Sequence, residues 1–197
     1  MATQLTDRQR ELREEFIESR GYWNEFWDSM LILDEDFFKA YLDFSSVPWR
    51  SGPLEPKVKE FVYIACDAAA THLYEPGIRQ HIKQALELGA TAEEIMEVIE
   101  LTSTLGIHAA NIGVPILVEE LEAAGQPIDR TLDDRRLEVK KDFEVKRGYW
   151  NPFWDDILQL DPEFFNTYTA FSSVPWVSGV LEPKVKELIY TAFDVAC

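Results

Sequence analysis

Residues 76–105 read PGIRQHIKQALELGATAEEIMEVIELTSTL, and this stretch decides the fold class. Apolar side chains recur there at i, i+3, i+4, i+7 and i+8, which is the period of an amphipathic helix. Gly89 suits the end of the first helix, and Thr91 with Glu94 forms a capping box that begins the second. The predicted inner faces are Ile78, His81, Ile82, Ala85 and Leu86 in the first helix, and Ile95, Val98, Ile99, Thr102 and Leu105 in the second.

The flanking sequence continues the helical pattern. Pro56 suits the first turn of a helix over residues 57–72, whose middle, residues 61–66, is apolar on every side and is therefore predicted to be buried. No segment alternates with the period of a strand, so the sequence predicts an all-α fold, an antiparallel helical bundle with short connections. Further predictions are a helix over 6–19 stopped by Gly21, a helix over 34–44 with Phe37, Phe38, Tyr41 and Leu42 on one side, a loop over 48–54, and a last helix that runs to Gly125.

The chain contains an internal repeat. Residues 20–70 recur at 147–197 with 33 identities in 51 ungapped positions, at an offset of 127 residues. Nothing in the second half corresponds to residues 72–126. This pattern predicts a complete unit over 1–127, with an aromatic N-terminal extension, and the front half of a second unit over 128–197. The half unit must cover its apolar faces by packing on the first unit or by pairing with another subunit, unless the second copy has been cut short.

Composition limits the partners that the chain can have. It has 19 Lys and Arg against 36 Asp and Glu, a formal net charge of −17, and 46% of its residues are hydrophobic. A chain with this net negative charge repels phosphate backbones and anionic lipid surfaces. We therefore expect neither a nucleic acid nor a membrane as a partner. The sequence shows no signal peptide and no uncharged apolar run of roughly 18 residues, so we expect a cytoplasmic protein.

Two candidate functional residues lie on the central helices. His81 occupies an apolar face, where a hydrogen-bonded core histidine is the commoner interpretation and a functional histidine the alternative. Glu60 lies on one side of its helix with Asp67 and Thr71. This polar stripe is either a solvated face or part of a covered site, and the neighbouring Tyr63 favours the covered site.

Two further pairs could contribute to binding. His108 and Asn111 share a helix face, where they could line a pocket or bond to backbone. Trp49 and Arg50 could bind a carboxylate, although the repeat has Trp176-Val177 in their place. The alternative is that Arg50 is only an exposed surface charge.

Several other chemistries have no sequence signal. Cys66 and Cys197 form no CxxC pair and fit no metal spacing, so both are predicted to be reduced thiols. The sequence has no Gly-rich phosphate loop, GxSxG or HExxH motif. We therefore expect neither a metal nor a nucleotide cofactor.

Residues 54–111 resemble the core of carboxymuconolactone decarboxylases and of their relative alkylhydroperoxidase D. The resemblance is carried by the Lys-Glu-Phe-Val helix start, the His-Ile-Lys-Gln-Ala-Leu helix, the Gly89 turn with its Thr-Ala-Glu-Glu-Ile cap, and Gly-Ile-His-Ala-Ala-Asn. The peroxidase branch needs a CxxC pair before its histidine, because one thiolate attacks and the second resolves. Here that region reads CDAAATHLYEPG, so disulfide-relay peroxidase activity is not expected.

The decarboxylase branch implies a different chemistry. Its substrates are small carboxylated unsaturated lactones, it needs no cofactor, and the family is oligomeric, so a homo-oligomer is expected. The aromatic N-terminal extension and the tandem arrangement depart from the small decarboxylase. A thiol antioxidant and a noncatalytic ligand-binding oligomer are the rival interpretations. Carried over by position, the resemblance implies His81 as the proton donor, Glu60 as its acid-base partner or orienter, Arg50 with Trp49 as the carboxylate anchor, and Asn111 or His108 at the lactone oxygen.

Overall fold

The structure, a computed structural model, describes residues 5–196, and all regular secondary structure in that range is helical. The predicted all-α fold is therefore confirmed. The chain divides into two compact units, residues 1–56 and 57–197. This division does not coincide with the repeat boundary, which lies near residue 127. A repeat in sequence and a compact unit in space are therefore different divisions of this chain.

The N-terminal unit contains four short helices around an aromatic core. Thr6 begins the first helix with a capping box that includes Gln9, and Gly21 ends it with a φ of 81°, a conformation that favours glycine. The helices are α1 (Asp7–Arg20), α2 (Phe26–Leu33), α3 (Glu35–Ser45) and α4 (Val47–Ser51). The buried core consists of Leu12, Phe16, Leu31, Phe38 and Leu42.

Three sequence predictions for this unit were wrong or incomplete. The loop predicted over 48–54 is largely the helix α4, because Pro48 occupies its first turn, where the missing N–H costs nothing. The helix α2 was not predicted, since its eight residues are too few to show a clear period. Phe37 is 58% exposed, so only Phe38 and Leu42 of the predicted α3 face lie in the core.

The second unit holds the remaining helices. Pro56 begins α5, as predicted, although that helix ends at Ala68 rather than at residue 72. Thr91 and Glu94 form the predicted capping box. The elements are α5 (Pro56–Ala68), α6 (Glu75–Glu87), α7 (Ala92–Ser103), a 3₁₀ turn (Thr104–Ile107), α8 (His108–Ala123), α9 (Asp134–Arg147), a 3₁₀ turn (Pro152–Trp154), α10 (Asp155–Leu160), α11 (Pro162–Ser178) and α12 (Pro183–Ala196).

Helices of the half repeat pack on helices of the first copy within this unit. One core cluster joins Phe61 and Ile64 of α5 and Val98 of α7 to Ile189 and Phe193 of α12. A second cluster is built around Phe143 of α9 and Phe165 of α11. Ile107, Ala110 and Val114 pack against it. The half copy therefore packs part of its apolar surface on α7 and α8 of the same chain, while Phe171, Val177 and Val195 remain exposed.

Some predicted inner faces are only partly buried. Phe61, Ile64 and Ala65 of α5 are fully buried, whereas the predicted all-round burial does not extend to Val62 and Cys66, which are half-buried. Leu86, the last apolar position of the predicted inner face of α6, is 50% exposed. Ile99, in the middle of the predicted inner face of α7, is 37% exposed.

The helical run Ala92–Ala123 combines α7, the 3₁₀ turn and α8. Its most apolar 18-residue window has a mean hydropathy of 1.4 and is 28% buried, so by length and composition alone it could cross a membrane. Residues 101–118 of this run hold no Asp, Glu, Lys or Arg, so the expectation of no uncharged run of that length was wrong, although Ser, Thr, His and Asn side chains interrupt its apolar residues. The core helix of a globular protein can have the same length and composition, and Val98 and Leu101 in this run are fully buried in the first core cluster.

A buried ion pair anchors the second copy to α7. The Nζ of Lys186 lies 2.9 Å from Oε1 of Glu97, and both side chains are almost completely buried. The other oxygen of Glu97 accepts hydrogen bonds from the backbone N–H groups of Val180 and Leu181, at 2.5 and 2.7 Å. A Cβ atom at Gly179 would lie 2.0 Å from this carboxylate, so the contact requires glycine. The carboxylate thus ties the start of α12 to the first copy.

Candidate functional site

The two residues that the sequence proposed for catalysis lie in contact. Glu60 is on α5 and His81 is on α6, and the Nδ1 of His81 lies 2.6 Å from Oε2 of Glu60. Glu60 is 1% exposed and His81 is 7% exposed. A carboxylate that is removed from water needs a hydrogen-bonding or charged partner, and the imidazole supplies one. The alternative in which Glu60 belongs to a solvated stripe is therefore wrong.

Two further residues of α5 surround the imidazole. The ring of Tyr63 stacks on His81, with 4.5 Å between centroids and 10° between planes. The Oδ2 of Asp67 lies 3.9 Å from the Nε2 of His81, and its Oδ1 lies 3.6 Å from the Nε2 of His72. His81 is thus held against the side of α5 by one aromatic ring, with a carboxylate towards each of its ring nitrogens.

The environment of Asp67 depends on a close approach of α6. A Cβ atom at Gly77 would lie 2.0 Å from Oδ2 of Asp67, so glycine allows the start of α6 to reach this carboxylate. Burial raises the pKa of Asp67, and the nearby His81 and His72 partly offset this rise. The carboxylate is therefore more easily protonated than an exposed aspartate.

This arrangement can orient the imidazole. The contact with Glu60 fixes the orientation of His81 and determines which ring nitrogen remains available to a substrate. A histidine held in this way is suited to general acid-base chemistry. Within residues 5–196, no group of three or more His, Cys, Asp or Glu side chains is placed to hold a metal ion. The lack of a cofactor remains a prediction.

His108 and Asn111 lie in a different place from the Glu60–His81 pair. They line a cavity of about 390 Å³ to which neither Glu60 nor His81 contributes. The Nε2 of His108 lies 3.6 Å from Oδ1 of Asp194, on α12. These two residues therefore face the second copy, because α8 packs against that copy. Their role at a lactone oxygen remains a prediction without a contact that supports it.

Trp49 and Arg50 belong to the N-terminal unit. The Nη2 of Arg50 lies 3.3 Å from Oε1 of Glu15, and its Nη1 lies 3.7 Å from Oδ1 of Asp43. The guanidinium of Arg20 lies over the Trp49 ring, 5.4 Å from its centroid. Arg50 thus already has carboxylate partners in its own unit, and its role as a substrate anchor remains a prediction.

Sequence reasoning missed most of the second cavity. Arg147, Tyr168 and Glu187 line it with His108, and none of the three was a candidate. The repeat carried a usable signal, because Glu187 stands at the position of Glu60. The sequence could not show that α8 supplies the facing wall.

The thiol chemistry has little support in the described residues. Cys66 is half-buried, and its Sγ lies 3.6 Å from the carbonyl oxygen of Ala192. The prediction for Cys197 lies outside the described residues.

Comparisons with known proteins agree with the resemblance seen in the sequence. The model of the carboxymuconolactone decarboxylase family matches residues 35–111. The fold matches the crystal structure of a "putative gamma-carboxymuconolactone decarboxylase subunit" from Burkholderia xenovorans LB400 with a TM-score of 0.91 and 49% identity, covering 94% of this chain and 75% of that chain. No curated protein sequence matches the chain. The shared fold and the level of identity show that the chain belongs to the carboxymuconolactone decarboxylase family.

Proposed function

We propose that the chain is a cofactor-free decarboxylase of a small cyclic carboxylic acid, such as an unsaturated lactone. The observation that carries the proposal is the buried contact of 2.6 Å between the Nδ1 of His81 and Oε2 of Glu60. A buried histidine that is oriented by a carboxylate is suited to proton transfer, and such a buried pair is costly to keep. The family membership supports the same reaction class.

The proposed reaction needs one proton from the protein. The bond between the ring carbon and the carboxylate breaks, carbon dioxide leaves, and the electron pair passes into the unsaturated lactone as an enolate. His81 then delivers a proton to carbon, which restores a neutral ring. Because Glu60 holds Nδ1, Nε2 is the nitrogen that would deliver this proton. The proton is later regained from solvent.

Glu60 acts here as a positioning group. Its contact with Nδ1 fixes the direction of the imidazole ring and leaves Nε2 for the proton transfer. Tyr63 limits rotation of the same ring by stacking on it. His81 therefore has one orientation in which to meet the enolate carbon.

Other parts of the proposal rest on the family rather than on contacts. Arg50 with Trp49 is retained as the candidate carboxylate anchor, and a substrate there would compete with Glu15 and Asp43. The solved relative is described as a decarboxylase subunit, which supports a homo-oligomer of this chain. A cytoplasmic location is proposed from the sequence alone.

Turnover of a carboxylated lactone tests the proposal. We expect the purified chain to release carbon dioxide from γ-carboxymuconolactone, and His81→Leu to lower kcat on the order of 10²- to 10⁴-fold. Lys83→Leu is the matched control, because Lys83 is exposed on the same helix. Equal loss in both variants, or full activity in His81→Leu, would contradict the assignment of His81.

A rival outcome is also measurable. Binding of the lactone with no turnover by the unmodified chain would replace the decarboxylase by a ligand-binding protein. Peroxide consumption that is lost in Cys66→Ser would instead identify a thiol antioxidant.

A further inference from the structure

Asp67 lies between two histidines at the end of α5. Its Oδ2 is 3.9 Å from Nε2 of His81 on α6, and its Oδ1 is 3.6 Å from Nε2 of His72, which lies in the turn that joins α5 to α6. The other nitrogen of His81, Nδ1, is held by Glu60. The proposed reaction uses His81 and Glu60, and it gives Asp67 and His72 no role.

These four side chains run from the interior of the protein to its surface. The exposed fractions of the side chains are 1% for Glu60, 8% for His81, 14% for Asp67 and 55% for His72. His81 exposes little surface to water, whereas His72 is open to solvent. Asp67 lies next to both histidines, so it is the group that can connect them.

The turn between the two helices places His72 beside Asp67. The backbone N–H of His72 donates to the carbonyl oxygen of Ala69, and that of Tyr74 donates to the carbonyl oxygen of Asp67, both at 2.8 Å. Leu73 between them has a φ of 45°, in the left-handed region that a non-glycine residue enters at a cost of roughly 1–2 kcal/mol. Backbone strain of this kind clusters at functional sites. The strained turn is therefore consistent with a role for the histidine that it positions.

Neither contact of Asp67 with a histidine is a direct hydrogen bond. Hydrogen bonds from nitrogen to oxygen span about 2.7–3.2 Å, whereas these two contacts are 3.6 and 3.9 Å. A small rotation of the carboxyl group, or one bridging water in each gap, gives continuous hydrogen bonds from His72 to His81. Hydrogen bonds in catalytic sites are often long without substrate and shorten when it binds.

A proton donor that acts in every cycle must regain its proton. When Nε2 of His81 has given its proton to the ring carbon, it is left with a free lone pair, and Nδ1 is held by Glu60. Asp67 is the carboxyl group that faces Nε2. Burial raises the pKa of Asp67, so this carboxyl holds a proton more readily than an exposed aspartate does. Histidine gains and loses protons near neutral pH, so the exposed His72 suits proton exchange with water.

We propose that Asp67 and His72 form a proton relay that returns a proton from solvent to Nε2 of His81 after each turnover. The relay rests on the proposed decarboxylation, in which His81 is the proton donor. In the first step the O–H bond of the Asp67 carboxyl breaks, and its proton binds the lone pair of Nε2. In the second step the carboxylate takes the proton from Nε2 of protonated His72, and the neutral His72 then takes a proton from solvent. One solvent proton thus enters for each carbon dioxide released, which balances the proton that the ring carbon keeps.

Proton exchange at His81 tests the relay without any substrate. The chain has three histidines, so nuclear magnetic resonance of the chain with isotope-labelled histidine can follow each ring separately. The quantity measured is the rate at which the Nε2 proton of His81 exchanges with water, at a pH where its signal shows that the proton is bound. His72→Gln and Asp67→Asn should each slow this exchange on the order of tenfold. Arg79→Gln is the matched control and should leave the rate unchanged, because Arg79 is exposed on α6 and pairs with Glu75.

Turnover of the lactone gives the second measurement. In His72→Gln, kcat for carbon dioxide release should fall on the order of tenfold while kcat/KM stays unchanged, because the proton returns only after carbon dioxide has left. Imidazole at millimolar concentration should restore much of the lost kcat, since a dissolved proton donor can replace an exposed side chain. A purely structural role for His72 would give no such rescue.

The relay and the decarboxylation fail in different ways. If the unmodified chain releases no carbon dioxide from the lactone, the proposed decarboxylation fails, and the exchange rates still decide whether Asp67 and His72 pass protons to His81. The relay is overturned by exchange rates that both variants leave unchanged, by an unchanged kcat in His72→Gln, or by a loss of kcat that imidazole does not restore.

Discussion

Lys186→Met should destabilise the protein more than any other substitution of a lysine on α12. The variant keeps much of the side-chain volume but removes the cation that lies 2.9 Å from Oε1 of Glu97. Glu97 is 3% exposed, so its charge would stay buried with two backbone N–H donors and no counter-ion. Removing one member of a buried ion pair and leaving the other unpaired lowers the free energy of unfolding by about 3–5 kcal/mol.

The cost can be read as a shift in melting temperature. For a protein of this size, 1 kcal/mol corresponds to roughly 2–4 °C, so Lys186→Met should melt about 6–20 °C below the unmodified chain. Circular dichroism at 222 nm follows the transition, because the described residues are helical in all their regular structure. Lys184→Met is the matched control, since Lys184 is exposed on the same helix and should change stability by less than about 0.5 kcal/mol.

A double variant separates the buried charge from lost packing. In Lys186→Met with Glu97→Gln, the amide oxygen can still accept from the backbone of Val180 and Leu181, and no unpaired charge remains. This variant should recover at least about 1 kcal/mol relative to Lys186→Met alone. A melting temperature of Lys186→Met within about 2 °C of the unmodified chain would refute the reasoning. So would a double variant that is less stable than Lys186→Met.

The remaining predictions concern the Glu60–His81 site and its surroundings. Glu60→Gln keeps the shape of the side chain, so the fold should survive, while the rate of lactone turnover falls at least about tenfold; an unchanged rate would exclude the positioning role. Cys66→Ala should leave turnover intact, and peroxide consumption should be absent in both forms. Gly77→Ala should lower the melting temperature, because its Cβ would meet Oδ2 of Asp67 at 2.0 Å. The pKa of Asp67 is raised in the folded state, so its ionisation opposes folding as the pH rises through that pKa. Asp67→Asn should therefore be more stable than the unmodified chain at neutral pH, and urea titrations should show the difference shrinking as the carboxyl becomes protonated in acid.

Helix boundaries were predictable where local signals set them. The capping box of Thr91 with Glu94 and the left-handed glycines Gly21 and Gly89 mark helix ends through contacts within a few residues. The loop predicted over 48–54 was wrong because a proline such as Pro48 can follow the end of one helix or begin the next. In the repeat, the equivalent Pro175 lies inside the continuous helix α11. The choice is made by packing around the proline and not by its neighbours in sequence.

The candidate site was predictable only as far as one helix face reaches. Periodicity placed His81 on an inner face and Glu60 on a polar stripe, but their contact joins two helices across 21 positions of sequence. Periodicity alone did not predict that His81 and Glu60 are in contact. The family resemblance predicted that they act together. His108 and Asn111 were grouped with them by the same resemblance, yet they line another cavity, because α8 packs on the half repeat. That packing partner is invisible to any pattern within α8.

Glu60 and Glu187 show how a covering helix decides the role of a carboxylate. Both follow the same local sequence, LEPKVKE, on helices that begin at a proline. Glu60 is buried against His81 because α6 covers its side of α5, whereas Glu187 is exposed at the mouth of a cavity that faces α8. A carboxylate paired with a buried histidine can assist proton transfer, but one at a wet cavity mouth can only accept hydrogen bonds or attract a donor. Within the described residues the two carboxylates therefore differ in burial and partner, and loss of turnover in Glu60→Gln but not in Glu187→Gln would be the direct expression of that difference.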